Sequence, residues 1–422
     1  MEKLIVKGEK PLSGTIGVSG SKNATLAILA ATILSNKKII LKNVPMVADV
    51  YTMSNLLISL GSKIKIKKKK NIIEIKNTKK LKTFAPYQLL KTMRAGVLAL
   101  GPLLAKFNNA KISLPGGCAI GSRPVNLHLN MLKKMGASIK IKNGYIIASA
   151  ISGLKGTTIR MPKISVGATE NILIAACYAQ GKTIIKNCAC EPEIKDLTYF
   201  LIKMGCKINW IGKRTLKIIG VKKLKPTEYK IMFDRIEAGT YVIASILTKG
   251  KVTIKNINPK IMATELTTLK KMGAKITEYA NRLIVKPSNK IKNISIKTGP
   301  YPGFPTDLQA QTMVLMSKAY GKSRITENIF ENRFMHVPEL NRMGAEIDVK
   351  GNKAFIKGVK KLYGAELMAT DLRASVSLIL AGLIAQKTTI VNRVYHLDRG
   401  YENLELKLSK CGAKIKRLKN AK

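Results

Sequence analysis

Acidic residues are scarce in this chain. There are 24 Asp and Glu against 75 Lys and Arg in 422 residues, a formal net charge of +51. Histidine occurs three times, tryptophan once, and aromatics make up 5%. So few histidines leave little for a metal centre. The six cysteines, at 118, 177, 188, 190, 206 and 411, include no CxxC pair of the metal-binding kind. Neither a metal nor a cofactor is expected. Long apolar runs are missing too: the charge-free stretches 24–36 and 374–386 have thirteen residues each, against roughly 20 for a membrane-spanning helix. The opening MEKLIVKGEKPLSG scatters charges through its apolar part and does not read as a secretory signal. The expectation is a soluble, cytoplasmic protein with free thiols and no membrane insertion.

What is present is apolar but not aromatic. At 46% hydrophobic residues, the chain can bury cores built from Ile, Leu, Ala, Val and Met, and its length suits about two or three domains. The charge invites a nucleic-acid reading. Yet lysines number 62 and arginines 13, whereas bidentate contacts to nucleic acid favour Arg. The lysines are also spread along the chain without interleaved aromatics. Lysine enrichment of solvated faces explains this better, and no specific nucleic-acid partner is expected. The run KIKIKKKKNIIEIKN (63–77) alternates as an exposed strand pair would.

Internal similarity then gives the organisation. A helix end, a glycine and a strand recur as NLLISLGSKIKI, MLKKMGASIKI, FLIKMGCKINW, TLKKMGAKIT, ELNRMGAEIDV and KLSKCGAKIK. The shared glycines are Gly61, Gly136, Gly205, Gly273, Gly344 and Gly412, spaced 75, 69, 68, 71 and 68 residues apart. Each falls where a helix C-terminus wants a left-handed residue. Before each lies a strand that ends in a turn, as in KKIILKNVP or KVTIKNINP. Before that lies a helix rich in small residues: SKNATLAILAATIL, MRAGVLALGPLLA, GATENILIAACYA, RIEAGTYVIASIL, DLQAQTMVLMSKA and DLRASVSLILAGLIA. The chain is thus α/β, six copies of a unit that reads buried helix, strand, outer helix, strand and a further strand pair. No such unit closes a core alone, and two domains of three units fit the length. The strand-and-turn pattern breaks only in the second unit, at LPGGCAIGSRP (114–124), and a repeat that breaks its own rule points to function.

Against so much Lys, the arginines stand out. Arg94, Arg123, Arg333, Arg373 and Arg399 lie near junctions between buried helices and loops. Lys22 enters the first buried helix through SGSKNA, where backbone N–H groups and a cation suit an anion. Arginines converging on a cleft would bind a small polyanion through bidentate pairs, although each one alone reads equally as a surface residue or an ion pair. Asp307, in GPYPGFPTDLQAQ, reads as a helix N-cap or first-turn carboxylate, or as a general base. Cys118 sits in the Gly-rich loop five residues before Arg123, and a nearby cation raises a thiol's reactivity. Cys177, by contrast, occupies a periodic apolar position.

At these residues the chain resembles the enolpyruvyl transferases over essentially its full length. The resemblance rests on SGSKNA (19–24), KTMRA (91–95), LPGGCAIGSRPVNLH (114–128), ISVGAT (164–169), PGFPTDLQAQ (302–311), ENRFMHVPELNRMGA (331–345), ATDLRAS (369–375) and YHLDRGYE (395–402). It implies two inverse α/β barrel domains, each of three βαβαββ-type units with pseudo-threefold symmetry, and a cleft between them. Residues 22–231 would form the domain that carries the cysteine loop, and 1–21 with 232–422 the other. It also implies transfer of the enolpyruvyl group of phosphoenolpyruvate to the 3-hydroxyl of UDP-N-acetylglucosamine. That reaction releases phosphate through a tetrahedral intermediate and opens peptidoglycan synthesis. Cys118 would protonate phosphoenolpyruvate, also as the site of a covalent adduct and the target of fosfomycin. Asp307 would take the sugar's hydroxyl proton. Lys22 and Asn23 would hold phosphoenolpyruvate, with Arg123 and Arg399 on its phosphate and Arg333 and Arg373 near its carboxylate. Arg94, Pro124, Val125, Asn126, Leu127, Lys163, Ile164, Ser165, Val166, Ile329 and Asp371 would complete the substrate contacts. Two positions depart from the family: Asn126 stands where Asp is expected, and Ala48 where Lys is familiar. A monomer is favoured. The shikimate-pathway enolpyruvyl transferase, an RNA-binding protein on the same repeat and an inactive copy are the rival readings. The cysteine loop, the spread lysines and the intact charged positions speak against them in turn.

Overall fold

The computed structural model describes residues 2–91, 93–114, 116, 125–288 and 290–418. Each repeat makes one four-stranded sheet, and all six sheets share one plan. In the second repeat, Phe84–Ala85 runs parallel to Asn109–Ser113, with Phe84 opposite Lys111 and Ala85 opposite Ile112. Asn109–Ser113 pairs antiparallel with Tyr145–Ser149, which pairs antiparallel with Ser138–Lys142. Helix Leu100–Phe107 links the parallel strands, as a crossover must. Helix Asn126–Lys134 precedes the hairpin. The six equivalent glycines all have positive φ, between 89° and 107°. The turn from outer helix to strand requires this, and a side chain would strain it.

The described residues divide at Ser19/Gly20 and at Met232/Phe233, one unit taking 2–19 with 233–418 and the other lying within 20–232. Sequence order does not predict three of the strand pairings. Ser13–Gly17, just ahead of helix Lys22–Ala31 in sequence, pairs parallel with Lys251–Lys255, which belongs to the same unit as itself. Thr227–Lys230, just ahead of helix Arg235–Leu247, pairs parallel with Ile39–Lys42. The two strands have exchanged places. Lys3–Lys7 then fills the sheet of the sixth repeat between Thr388–Asn392 and Lys414–Leu418. Each ring of three sheets is thereby complete.

The sheets cover the small-residue helices. All thirteen residues of Arg235–Leu247 are buried, as are all eleven of Leu372–Gly382 and all eight of Gln309–Met316. Helices apolar all round belong inside. Outer helices are one-sided: Pro192–Lys203 buries Ile194, Leu197, Phe200 and Leu201, while Lys195 is exposed. Two local expectations need correction. MRAGVLALGPLLA is not one helix; Arg94–Ala99 is 3-10 before Leu100–Phe107 continues. Pro102 has no N–H to return to the preceding turn, and that turn tightens. The lysine-rich stretch is a strand pair, Ser62–Lys67 with Ile72–Asn77, but only one face is exposed: Ile73 and Ile75 are in the core. Cys177 is buried, as expected, and no disulfide joins the described cysteines.

Close helix approach sets a testable limit. A Cβ on Gly101 would lie 2.2 Å from Asn171 Oδ1 and 2.5 Å from its carbonyl oxygen. Gly101→Ala should lower stability by about 1–3 kcal/mol or more through overpacking. Gly136 has open space around it at φ 93°, so Gly136→Ala should cost only the backbone strain, about 1–2 kcal/mol. Urea melts of the two variants would check the order; a milder Gly101→Ala would contradict the packing.

Candidate active site

Asp307 lies in the 3-10 turn Thr306–Leu308 ahead of helix Gln309–Met316, as a first-turn carboxylate and at the N-cap position of neither helix. Its carboxylate meets two guanidiniums instead. Arg333 Nη2 donates to Oδ1 and Arg373 Nη2 to Oδ2, both at 2.8 Å. Both arginine side chains are only 4% exposed, against 26% for Asp307. They are therefore ion-paired, with strength that surface pairs lack. Burial alone would push Arg373 down, but the Asp307 carboxylate holds it above its ordinary range. Asp371 caps helix Leu372–Gly382, accepting from the backbone N–H of Arg373 and Ala374 at 2.8 and 3.2 Å. That fixes where Arg373 leaves the helix.

A buried carboxylate sequence reasoning missed holds this region together. Glu327 accepts from Thr298 Oγ1 and Thr306 Oγ1, each at 2.9 Å, and from the backbone N–H of Ile329 at 2.8 Å and Phe330 at 3.2 Å. It ties the turn that bears Asp307 to the segment that bears Ile329 and Arg333. Arg399 ends the 3-10 turn Val394–Arg399. Burial first, then the Arg399 cation, lowers the neighbouring His396.

The other unit gathers a second set. Lys22 is the first residue of helix Lys22–Ala31, behind the cap Ser21, whose Oγ accepts from Ala24 N at 3.3 Å. Lys22 Nζ pairs with Asp49 Oδ2 at 3.3 Å, both nearly buried; Asn23 beside it is half-buried. Asp49 follows Ala48, which is exposed at the start of its helix. Arg94 opens its 3-10 turn, half-buried. Val125 and Leu127 flank an exposed Asn126 at the start of helix Asn126–Lys134. Ser165 caps helix Val166–Ala176 through Ala168 N at 3.3 Å; Ile164 is half-buried, Lys163 and Val166 exposed.

His128 joins these segments. A Cβ on Gly167 would touch its ring at 3.2 Å. Asn171 Oδ1 accepts from Gly101 N at 2.6 Å, which places Nδ2 toward Val97 O and His128 Nδ1, each at 3.0 Å. Nδ1 is thus the acceptor, and the ring is neutral with its proton on Nε2. Burial first, then the Arg94 cation, pushes its pKa down to about 4. Cys118, Arg123 and Pro124 lie outside the described residues. The sequence held a signal for Asp49, since acids are scarce, and for Tyr401, which lies in the YHLDRGYE motif. Glu327 shared the first of these signals and His128, which ends the LPGGCAIGSRPVNLH motif, the second; Asn171 had none.

Comparisons with known proteins bear on this arrangement. The sequence model of the family described as EPSP synthase (3-phosphoshikimate 1-carboxyvinyltransferase) matches residues 6–408. UDP-N-acetylglucosamine 1-carboxyvinyltransferase of Pelagibacter ubique is 63% identical over 418 residues, covering 99% of this chain and all of that relative. The protein of that name from Rickettsia prowazekii is 53% identical over 420 residues, with 99% and 100% covered. Among solved structures, the enolpyruvyl transferase NikO from Streptomyces tendae aligns with a TM-score of 0.90 at 23% identity, covering 99% of this chain and 98% of its own. An EPSP synthase from Acinetobacter baumannii aligns at 0.76 and 18% identity, covering 99% and 100%. The fold is therefore theirs, two inverse α/β barrels with helices inside and sheets outside.

His128 gives a pH test. Its pKa falls from 6.5 when unfolded to about 4 when folded. Between those values the unfolded chain binds more protons, so stability is full above about 6.5 and is lost as pH falls toward 4. His336, buried in the other unit and also pushed down to about 4, acts in the same direction. Calorimetric Tm should fall across this window, and His128→Gln should flatten part of the fall. An unchanged slope would contradict the neutral, buried His128.

Proposed function

The chain belongs to the enolpyruvyl transferase family, and from that premise we propose that it transfers the enolpyruvyl group of phosphoenolpyruvate to the 3-hydroxyl of UDP-N-acetylglucosamine. Phosphate leaves, and the product opens peptidoglycan synthesis. The observation that carries the reading is the pairing of Asp307 with two buried guanidiniums, in a chain 63% identical to a relative of that name. Its closer kinship with the UDP-N-acetylglucosamine enzymes sets aside the shikimate substrate, despite the description of the family model.

The reaction needs an acid, a base and a cationic frame. Cys118 gives a proton to the methylene carbon of phosphoenolpyruvate. Asp307 takes the proton of the sugar hydroxyl, whose oxygen bonds to the adjacent carbon. The tetrahedral intermediate then loses phosphate and one methyl proton to restore the double bond. Lys22 and Asn23 hold phosphoenolpyruvate, Arg123 and Arg399 its phosphate, and Arg333 and Arg373 its carboxylate. That carboxylate competes with Asp307 for the two guanidiniums, so its arrival releases the base when the base is needed. Fixed cations stabilise developing charge without reorganising. Arg94, Pro124, Val125, Asn126, Leu127, Lys163 to Val166, Ile329 and Asp371 complete the substrate contacts. No helix among the described residues is long and apolar enough to cross a membrane. The enzyme works in the cytoplasm as a monomer, without a cofactor.

Purified protein given both substrates should release phosphate and form a product of the enolpyruvyl-ether mass. It should stop when one fosfomycin adds to Cys118. Phosphate release without UDP-N-acetylglucosamine, or none at all, would overturn the reading. Asp307→Asn should lower kcat by about 10²–10⁴-fold, the usual range for losing a general base. Full turnover in Cys118→Ala would remove Cys118 from its role.

A further inference from the structure

Tyr401 has no part in the chemistry above, yet its hydroxyl is the meeting point of the site's buried polar network. Its side chain is 2% exposed. Arg373 Nη1 lies 3.2 Å from the phenol oxygen, Gln311 Nε2 3.2 Å and Thr240 Oγ1 2.9 Å. The guanidinium centre also lies 5.5 Å from the ring centroid. Proton directions follow from groups with only one choice. The Arg373 guanidinium can only donate. Gln311 Nε2 also faces the carbonyl oxygen of Asp307 at 3.0 Å, which can only accept. Thr240 gives its own proton to the Ile236 carbonyl at 2.8 Å. The Tyr401 proton therefore goes to Thr240, and the phenol oxygen accepts from Arg373 and shares the second Gln311 Nε2 proton with Thr240 Oγ1, which lies 3.1 Å from that nitrogen.

We propose that Tyr401 is a positioning residue for phosphoenolpyruvate binding: its hydroxyl, oriented by Thr240, aims Arg373 and anchors through Gln311 the backbone of Asp307. The inference rests on the reading that Arg373 meets the substrate's carboxylate. One guanidinium nitrogen reaches Asp307 and the other reaches Tyr401, and a planar fork fixed at both tips cannot swing. Burial keeps the phenol protonated, above its ordinary range, so the hydroxyl keeps its proton and goes on donating it to Thr240. Without the hydroxyl, a buried guanidinium N–H loses its acceptor and the fork turns to find another.

The test uses the full-length enzyme in steady state with both substrates. Wild-type turnover comes first; its absence defeats the functional reading and not this inference. Given turnover, Tyr401→Phe should raise KM for phosphoenolpyruvate about tenfold or more and leave KM for UDP-N-acetylglucosamine within about twofold. Thr240→Val, which takes away the acceptor of the phenol proton, should shift the same constant in the same direction. Thr240→Ser, which keeps a hydroxyl, should recover most of that loss. The double variant Tyr401→Phe/Thr240→Val should be no worse than Tyr401→Phe, because both changes break one chain of bonds. Unchanged KM for phosphoenolpyruvate in Tyr401→Phe, an equal rise in both KM values, or additive single effects would overturn the proposal. Should Tyr401→Phe fail to fold, the Thr240→Val and Thr240→Ser pair decides alone.

Discussion

Each unit depends on one constraint: its small-residue helices are buried on nearly every side and can be covered only by one another and by the sheets around them. A single repeat offers one such helix and one sheet, which leaves most of the helix bare. Three repeats cover three helices, and small residues allow the backbones to approach. Gly101 rests on Asn171, and Gly239 is so close to Leu308 that a Cβ would lie 2.6 Å from its side chain. Close packing brings the helix starts together. Gln311, Thr240 and Arg373 lie near the starts of three different helices, and Tyr401 bonds to all three. The polar groups at the site are the ends of core helices, held as rigidly as the core.

That placement has an electrostatic consequence. A charge buried among apolar helices loses several kcal/mol of hydration unless it is paired. Arg333 and Arg373 are buried, and Asp307 answers both. Elsewhere in the unit, Arg235 pairs with Glu265 at 2.7 Å, and Lys407 reaches Glu237 at 2.6 Å. Asp307 differs from those partners because it is the most exposed of the three members of its cluster. An anion from solvent can compete with it, which cannot happen at the fully buried Glu265. The same interaction holds the two buried guanidiniums in place.

The repeat, the six turn glycines and the division into buried and outer helices were legible because each leaves a local pattern: small residues, alternating Lys and Ile, a glycine at fixed spacing. The exchanged strands were not, because Ser13–Gly17 and Lys251–Lys255 pair across more than two hundred residues and their sequences carry no mark of which partner each will take. The site divides along the same line. Arg333, Arg373 and Asp307 stood out as rare types near junctions of helices and loops, and Lys22 as a cation entering a buried helix. Glu327 and Asn171 act through partners in distant segments; each is an ordinary polar residue in its own stretch. Asp307 was open between two readings; the structure places it in the turn ahead of helix Gln309–Met316, as the first-turn reading has it, with its oxygens on two guanidiniums, and its role as a base belongs to the proposed chemistry. Cys118 lies outside the described residues, and its role rests on the resemblance and on the proposed chemistry.

The charge of +51 can now be placed. Nine of the 24 acids are buried: Asp49, Glu170, Glu191, Glu193, Asp196, Asp234, Glu237, Glu265 and Glu327. Several of them answer a buried cation or a set of backbone N–H groups, and a lysine there would leave those donors unpaired. Lysines such as Lys63, Lys140, Lys207 and Lys275 occupy exposed positions of sheet strands. An acid at an exposed position contributes about 0–1 kcal/mol through a surface pair, so its replacement by lysine changes stability little. Substitution toward lysine could run freely on the solvated faces and stopped at the interior. Nine acids thus sit where removal is expensive, among them Asp49 on Lys22 and Glu327 beneath the turn that bears Asp307.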